Sequence, residues 1–277
     1  MSEFLFWVCL CAYLVGTILY LLYIFIQRKQ LSLMGLVFLA LGFASQSVYF
    51  ILEYIEAGQF PIVNFQQSLS FFAWAIVGCY FLFQSKFNLR VLGSFVAPLA
   101  VVLVISSSLF PLSSLPYKPT YKSVWLPAHV ISVFLGNGMF AVAFVVSVMY
   151  LLQEHAIKSK KLGFFFRRLP PLDRLDALNY RCLVIGFPLL SLGMITGSIY
   201  AQISLGSYWR WDPMEVWSLI TWFMYAAILH QRLTVGWQGR RAAIMSIVAF
   251  LILLFTFLVV GTWMRGYHTY ALPEGSR

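Results

Sequence analysis

The chain has 277 residues, of which 61% are hydrophobic and 10% charged. Soluble domains are roughly 45–50% apolar and about 25% charged, so the composition excludes a water-soluble globular fold. The formal charge of +10 calls for no nucleic-acid partner, because the basic residues fall into a loop pattern that accounts for them.

A helix needs about 20 mostly apolar residues to cross ~30 Å of hydrocarbon. Eight stretches meet that requirement, near 4–26, 33–54, 67–84, 91–110, 127–152, 181–203, 216–233 and 242–262. The predicted fold is all-α: a polytopic integral membrane protein with about eight transmembrane helices, read as one domain over 1–277. The sequence shows no internal repeat and no low-complexity linker. The first stretch reads as a span rather than a removable signal, since its apolar run is about twice a signal's core and no Lys or Arg precedes it.

Positive charge stays on the cytoplasmic side of short loops. With the N-terminus outside, Arg28, Lys29, Lys86, Arg90, Lys158, Lys160, Lys161, Arg167, Arg168, Arg174, Arg181, Arg232, Arg240 and Arg241 fall inside, fourteen of the nineteen basic residues. Lys118, Lys122, Arg210, Arg265 and Arg277 fall outside. The expectation is N-out and C-out. The dense run from Lys158 to Arg174 reads as an orientation signal, with contact to anionic membrane lipid as the alternative.

Cys9, Cys11, Cys79 and Cys182 all lie in or at the end of apolar spans, with no C-x-x-C pair. They predict neither a zinc site nor a dithiol motif, and Cys9 and Cys11 point to different sides of one helix. Gly136, Gly138, Gly193 and Gly197 read as sites of close helix packing.

Polar residues that spans and loops leave unexplained collect in three outer pieces, 111–126, 204–215 and the tail from 263. In the second, Trp209, Trp211 and Trp217 occur within nine residues, a tighter run than an interfacial aromatic belt requires. Asp212-Pro213-Met214-Glu215 reads as helix punctuation, with Asp212 as N-cap, Pro213 at the first helical position and Glu215 completing a capping box. That gives the carboxylates a supporting role rather than acid–base work. Indole faces cover a large, flat, apolar body, while Arg210 and loop amides meet an anionic edge. A porphyrin with two propionates fits; a lipid or quinone fits less well.

His129, after Trp125-Leu126-Pro127, and His268, beyond the last span, belong to the same outer face. Imidazole is a common axial ligand of haem iron, so these two are the predicted external pair. His230 lies fifteen residues after Glu215, ~22 Å deeper along a helix. It is read either as a functional intramembrane group or as a side chain snorkelling with Gln231 and Arg232. His155 reads as an interfacial loop residue, with partnership to His230 as the lesser alternative.

The run from Trp209 through Trp222 to Leu229-His230 closely resembles the WWD domain of haem-handling proteins, here at 206–222, and in particular the CcsA/ResC-type subunit of the system II cytochrome c synthase, called CcsB in some bacteria. Trp125-Leu126-Pro127-Ala128-His129 and Gly266-Tyr267-His268-Thr269-Tyr270 are similar to that family's two external histidine motifs. Phe60-Pro61-Ile62-Val63-Asn64, with Ser68-Leu69 and Ala73-Trp74, resembles its early outer loop, although Gln66-Gln67 stands where the family pattern has a Tyr-Glu pair. The resemblance runs from about 58 to 271. It implies a multi-pass protein of the bacterial cytoplasmic membrane, working at the extracytoplasmic face. Haem b would be bound and moved, then presented for attachment to the C-x-x-C-H thiols of apocytochrome c. It carries haem contact onto Trp209, Arg210, Trp211, Asp212, Trp217 and Trp222, external iron ligation onto His129 and His268, and membrane-site ligation onto His230 with a second histidine from a CcsB/ResB-type partner. Competing readings are a HemX-like accessory protein of tetrapyrrole metabolism and a transporter of an apolar anion.

Overall fold

The computed structural model describes residues 2–62, 64–110, 123–160, 163 and 166–264. Among them are eight long helices and no strand: α1 (Ser2–Ile26), α2 (Lys29–Ala57), α3 (Phe65–Phe87), α4 (Arg90–Ser108), α5 (Trp125–Lys158), α6 (Leu172–Leu205), α7 (Pro213–Thr234) and α8 (Arg240–Trp263), the last interrupted by a π-helical turn at Thr256–Val260. The all-helical expectation is met, and each predicted span has its helix. Seven are long and apolar enough to cross a membrane. The exception is α7, whose apolar content is diluted by Glu215, His230, Gln231 and Arg232.

Helix ends follow local chemistry. Gly58 (φ 64°) and Gly206 (φ 74°) close α2 and α6 in the left-handed conformation that favours glycine. Asn64 caps α3, its side chain accepting the Gln67 N–H at 2.8 Å.

Consecutive helices run up and down, and α5 is central, packing on α3, α6 and α8, while α7 lies at the edge against α6 and α8. Lipid tails are as apolar as leucine, so close fit and internal hydrogen bonds hold such a bundle together. At the α1–α4 contact a Cβ on Gly93 would lie 2.5 Å from the Tyr20 ring. The missing side chain lets Tyr20 reach Tyr80, hydroxyl to hydroxyl, at 2.7 Å. Tyr13 donates to Gln46 Oε1 at 2.9 Å, and Gln46 Nε2 donates to the Ser70 carbonyl at 2.8 Å, tying α1, α2 and α3. Cys9 is buried and Cys11 exposed, as their spacing predicts; all four cysteines are free.

Up-and-down alternation gathers the basic loops at one end and the tryptophan segment at the other. Two arginines of the 158–174 run have structural duties. Arg168 donates to the Phe25 carbonyl at 2.6 Å and Arg174 to the Phe87 carbonyl at 2.7 Å, satisfying the C-terminal ends of α1 and α3. At the same end Arg232 of α7, its side chain 5% exposed, forms a two-pronged pair with Asp176 of α6 at 3.0 and 2.7 Å. Asp176 Oδ1 also accepts the Gly239 N–H at 2.8 Å. Asn179, one turn on, donates to Ser147 of α5 and Ser246 of α8 at 2.8 and 3.0 Å. The charges needed to fix α7 thus sit where α5, α6 and α8 meet.

Candidate functional site

The tryptophan segment joins α6 to α7. Its N-cap is as the sequence predicts: Asp212, only 6% exposed, accepts the Met214 N–H at 2.9 Å, Pro213 occupies the first turn, and Glu215 reaches back to the Asp212 N–H at 3.2 Å. Asp212 is therefore a structural cap rather than a surface for a ligand. The same Glu215 oxygen also accepts the Arg210 N–H at 2.9 Å.

Between those two amides stands Trp211, with φ 60° and 75% of its surface exposed. A left-handed conformation costs an ordinary L-residue about 1–2 kcal/mol, so the segment spends backbone energy to stand this indole off the loop. Trp209 meets Trp211 edge to face, ring centres 6.0 Å apart and planes at 87°. Ser207 Oγ donates to the Trp209 carbonyl at 2.8 Å, and Ser198 of α6 donates to the Tyr208 carbonyl at 3.0 Å, so the loop is bound back onto the last turns of α6.

That part of α6 also seats His129. Pro127 lies in the first turn of α5, where a missing N–H costs nothing. His129 follows it and places Nδ1 2.7 Å from the Gly193 carbonyl. A carbonyl only accepts, so Nδ1 carries the ring proton and the lone pair belongs to Nε2, the arrangement of a metal-ligating imidazole. The Nδ1–Cε1 edge of the ring lies against Gly197, where a Cβ would come within 2.6 Å of His129 Cε1 and closer still to Nδ1. Gly193 and Gly197 do pack closely, as their spacing predicts, and what they accommodate includes this histidine. Gly197 and Ser198 are neighbours, so the histidine and the tryptophan loop rest on adjacent residues.

The other tryptophans divide. Trp222 is anchored inward, its indole N–H donating to Ser191 at 2.8 Å and its ring 5.1 Å from Phe187, which makes it part of the α6–α7 contact. Trp217 lies 4.8 Å from Phe255 and opens onto an apolar groove of about 320 Å³ between α7 and α8, formed with Val248, Leu251 and Ile252. Below it Thr221 and Thr256 approach at 3.4 Å, where the π turn begins. Arg210 is exposed beside Trp211.

His230 is not brought to this end. It is exposed on the outward face of α7, near the basic end, two residues before Arg232, whose side chain is enclosed. His155 is likewise exposed, at the basic end of α5. His268 lies outside the described residues, so the pairing of His129 with His268 is carried by the sequence alone. Among the described residues no group of three or more His, Cys, Asp or Glu could hold a bare metal ion. Haem iron, with four positions filled by the porphyrin, asks the protein for only one or two imidazoles, and His129 suits that need. Gly193, Gly197, Ser198 and Ser191 had no functional place in the sequence reading; a small-x-x-x-small pair facing a histidine on the preceding helix was the available signal.

The model of the family described as Cytochrome C assembly protein matches residues 62–268, about three quarters of the chain. The chain belongs to the cytochrome c assembly protein family. Among relatives of this assembly protein, the cytochrome c biogenesis protein CcsA of Chlamydomonas reinhardtii is 35% identical over 228 residues, covering 78% of this chain and 62% of its own length. The CcsA of Guillardia theta is 33% identical, with 79% of each chain covered, and that of Gloeobacter violaceus is 31% identical, covering 81% and 82%. The chain thus spans under two thirds of the Chlamydomonas protein but about four fifths of the other two. Among solved structures, the cytochrome c haem lyase CcmF superposes with a TM-score of 0.64 at 17% identity, over 93% of this chain and 46% of that one. That likeness is one of fold. The CcsA-type assembly protein therefore acts in cytochrome c biogenesis as a multi-span membrane protein.

Proposed function

We propose that this chain is the haem-handling membrane subunit of a cytochrome c synthase, which binds haem b and presents it at the extracytoplasmic face for covalent attachment to a C-x-x-C-H apocytochrome c. The observation that carries the reading is the seat of His129. A carbonyl fixes Nδ1–H, which assigns the ring's lone pair and so the ligating role to Nε2, and the ring rests on the helix turn to which the tryptophan loop is bonded.

The roles divide by position. Nε2 of His129 holds iron from one side and His268 supplies the second imidazole. Trp211 and Trp209 cover the ring, and Arg210 meets a propionate. Trp217 and its groove shield the apolar edge from water. Haem provides the vinyl groups and the substrate provides the thiols; the chain's own residues position the reacting edge.

His230, exposed near the other end, supports a second, membrane-level station completed by a histidine of a CcsB/ResB-type partner. With basic residues cytoplasmic, the chain is N-out in a bacterial cytoplasmic membrane, and the tryptophan end faces outward.

The test is the visible spectrum of the chain purified in mild detergent with its partner. Wild type is expected to show a Soret band that is lost or shifted in His129→Ala/His268→Ala. A wild-type complex without haem would overturn the reading.

A further inference from the structure

Glu215 does more than complete a helix cap. One of its oxygens accepts the N–H groups of both Arg210 and Asp212, at 2.9 and 3.2 Å. These are the amides on either side of Trp211, whose φ of 60° is the sole positive value for a non-glycine residue at this end of the described structure. Successive N–H groups that converge where the backbone turns left-handed form an anion-binding nest. Here the anion is the protein's own carboxylate, supplied from the next helix turn. Asp212 has a separate duty: its side chain accepts the backbone N–H groups of Met214 and Glu215, and its carbonyl takes the Val216 N–H at 3.0 Å to start the helix. The two acidic residues therefore hold different things, Asp212 the helix and Glu215 the loop conformation.

We propose that Glu215 is a positioning residue for the flat ligand of this site: it fixes Trp211 in the left-handed conformation that stands its indole out as a platform at right angles to Trp209. The inference deepens the haem-handling reading and rests on it for the ligand's identity, while the conformational claim stands on this chain alone. Without the carboxylate, Trp211 relaxes to an ordinary backbone conformation and the platform must be rebuilt on each binding event. The energy of a left-handed L-residue then appears as a loss of affinity of about fivefold to thirtyfold.

The test uses the full chain with its partner, labelled with 5-fluorotryptophan. The ¹⁹F resonance of Trp211 is identified by its disappearance in Trp211→Phe. Glu215→Ala is expected to shift or broaden that resonance and to weaken haem binding in a Soret titration by the stated factor. Glu215→Gln, which keeps an accepting oxygen, restores both to within a factor of about three. Asp212→Ala lowers the melting temperature but leaves the Trp211 resonance in place. An unchanged resonance in Glu215→Ala overturns the proposal. So does an equal disturbance in Asp212→Ala, which would make Glu215 a helix cap and nothing else. If wild type binds no haem, the haem-handling reading fails, while the resonance still decides whether Glu215 sets Trp211.

Discussion

Replacing Gly197 by alanine tests the seat of His129 without touching the histidine. The added Cβ would lie 2.6 Å from His129 Cε1, inside any tolerable contact, so the imidazole must move and its 2.7 Å bond to the Gly193 carbonyl must lengthen or break. Three effects bear on stability. Alanine is favoured over glycine in a helix by about 1 kcal/mol, overpacking a tight contact costs about 1–3 kcal/mol, and losing the hydrogen bond costs about 0.5–1.5 kcal/mol. The unfavourable pair outweighs the propensity gain, leaving a net loss of about 0.5–3.5 kcal/mol, which a bundle of ordinary stability survives. The effect on haem is larger, because removing the partner that orients a ligating imidazole lowers affinity about 10–100-fold. Soret titration of the purified complex beside thermal unfolding separates the two quantities. A folded Gly197→Ala variant with wild-type haem affinity would refute the assignment of His129 as an oriented ligand.

Asp176→Ala leaves Arg232, 5% exposed, as an uncompensated charge and is expected to destabilise the bundle by about 3–5 kcal/mol, read by denaturation in detergent; a change under 1 kcal/mol would mean that the pair is not the clamp on α7. Asp212→Ala removes the acceptor for Met214 N–H and should cost about 0.5–2 kcal/mol, seen as a lowered melting temperature. His230→Ala, at an exposed position, should change stability by less than about 0.5 kcal/mol yet abolish the partner-dependent part of the haem spectrum; retention of that component would remove His230 from the pathway.

Apolar run length placed all eight helices because crossing hydrocarbon leaves a chain few options, and Asp212-Pro213-Met214-Glu215 announced the α7 cap because capping is written within four residues. Even so, α5 and α6 reach 34 residues each, running past the spans where polar ends are solvated and hydropathy falls silent. The π turn at Thr256–Val260 keeps an apolar sequence and so leaves no mark on periodicity. At the site, the histidine was legible as a residue type, but its tautomer depended on a carbonyl 64 positions away, and a main-chain acceptor has no sequence signature. The left-handed Trp211 was invisible for the opposite reason: tryptophan disfavours that conformation, and the flanking amides converge on a carboxylate from the next helix turn. Arg168 and Arg174 looked like charges for orientation, and their bonds to the ends of α1 and α3 came from loop geometry that composition does not encode.

Haem presentation for attachment is tested by reconstitution: the purified chain with its partner, ferrous haem b and a C-x-x-C-H apocytochrome c peptide, with the product examined by mass spectrometry for haem joined through two thioether bonds. Peptide-linked haem is expected with wild type and none with His129→Ala/His268→Ala, although both preparations are folded. Equal yields from the two would mean that attachment proceeds without His129 and His268, and would remove both from the haem site.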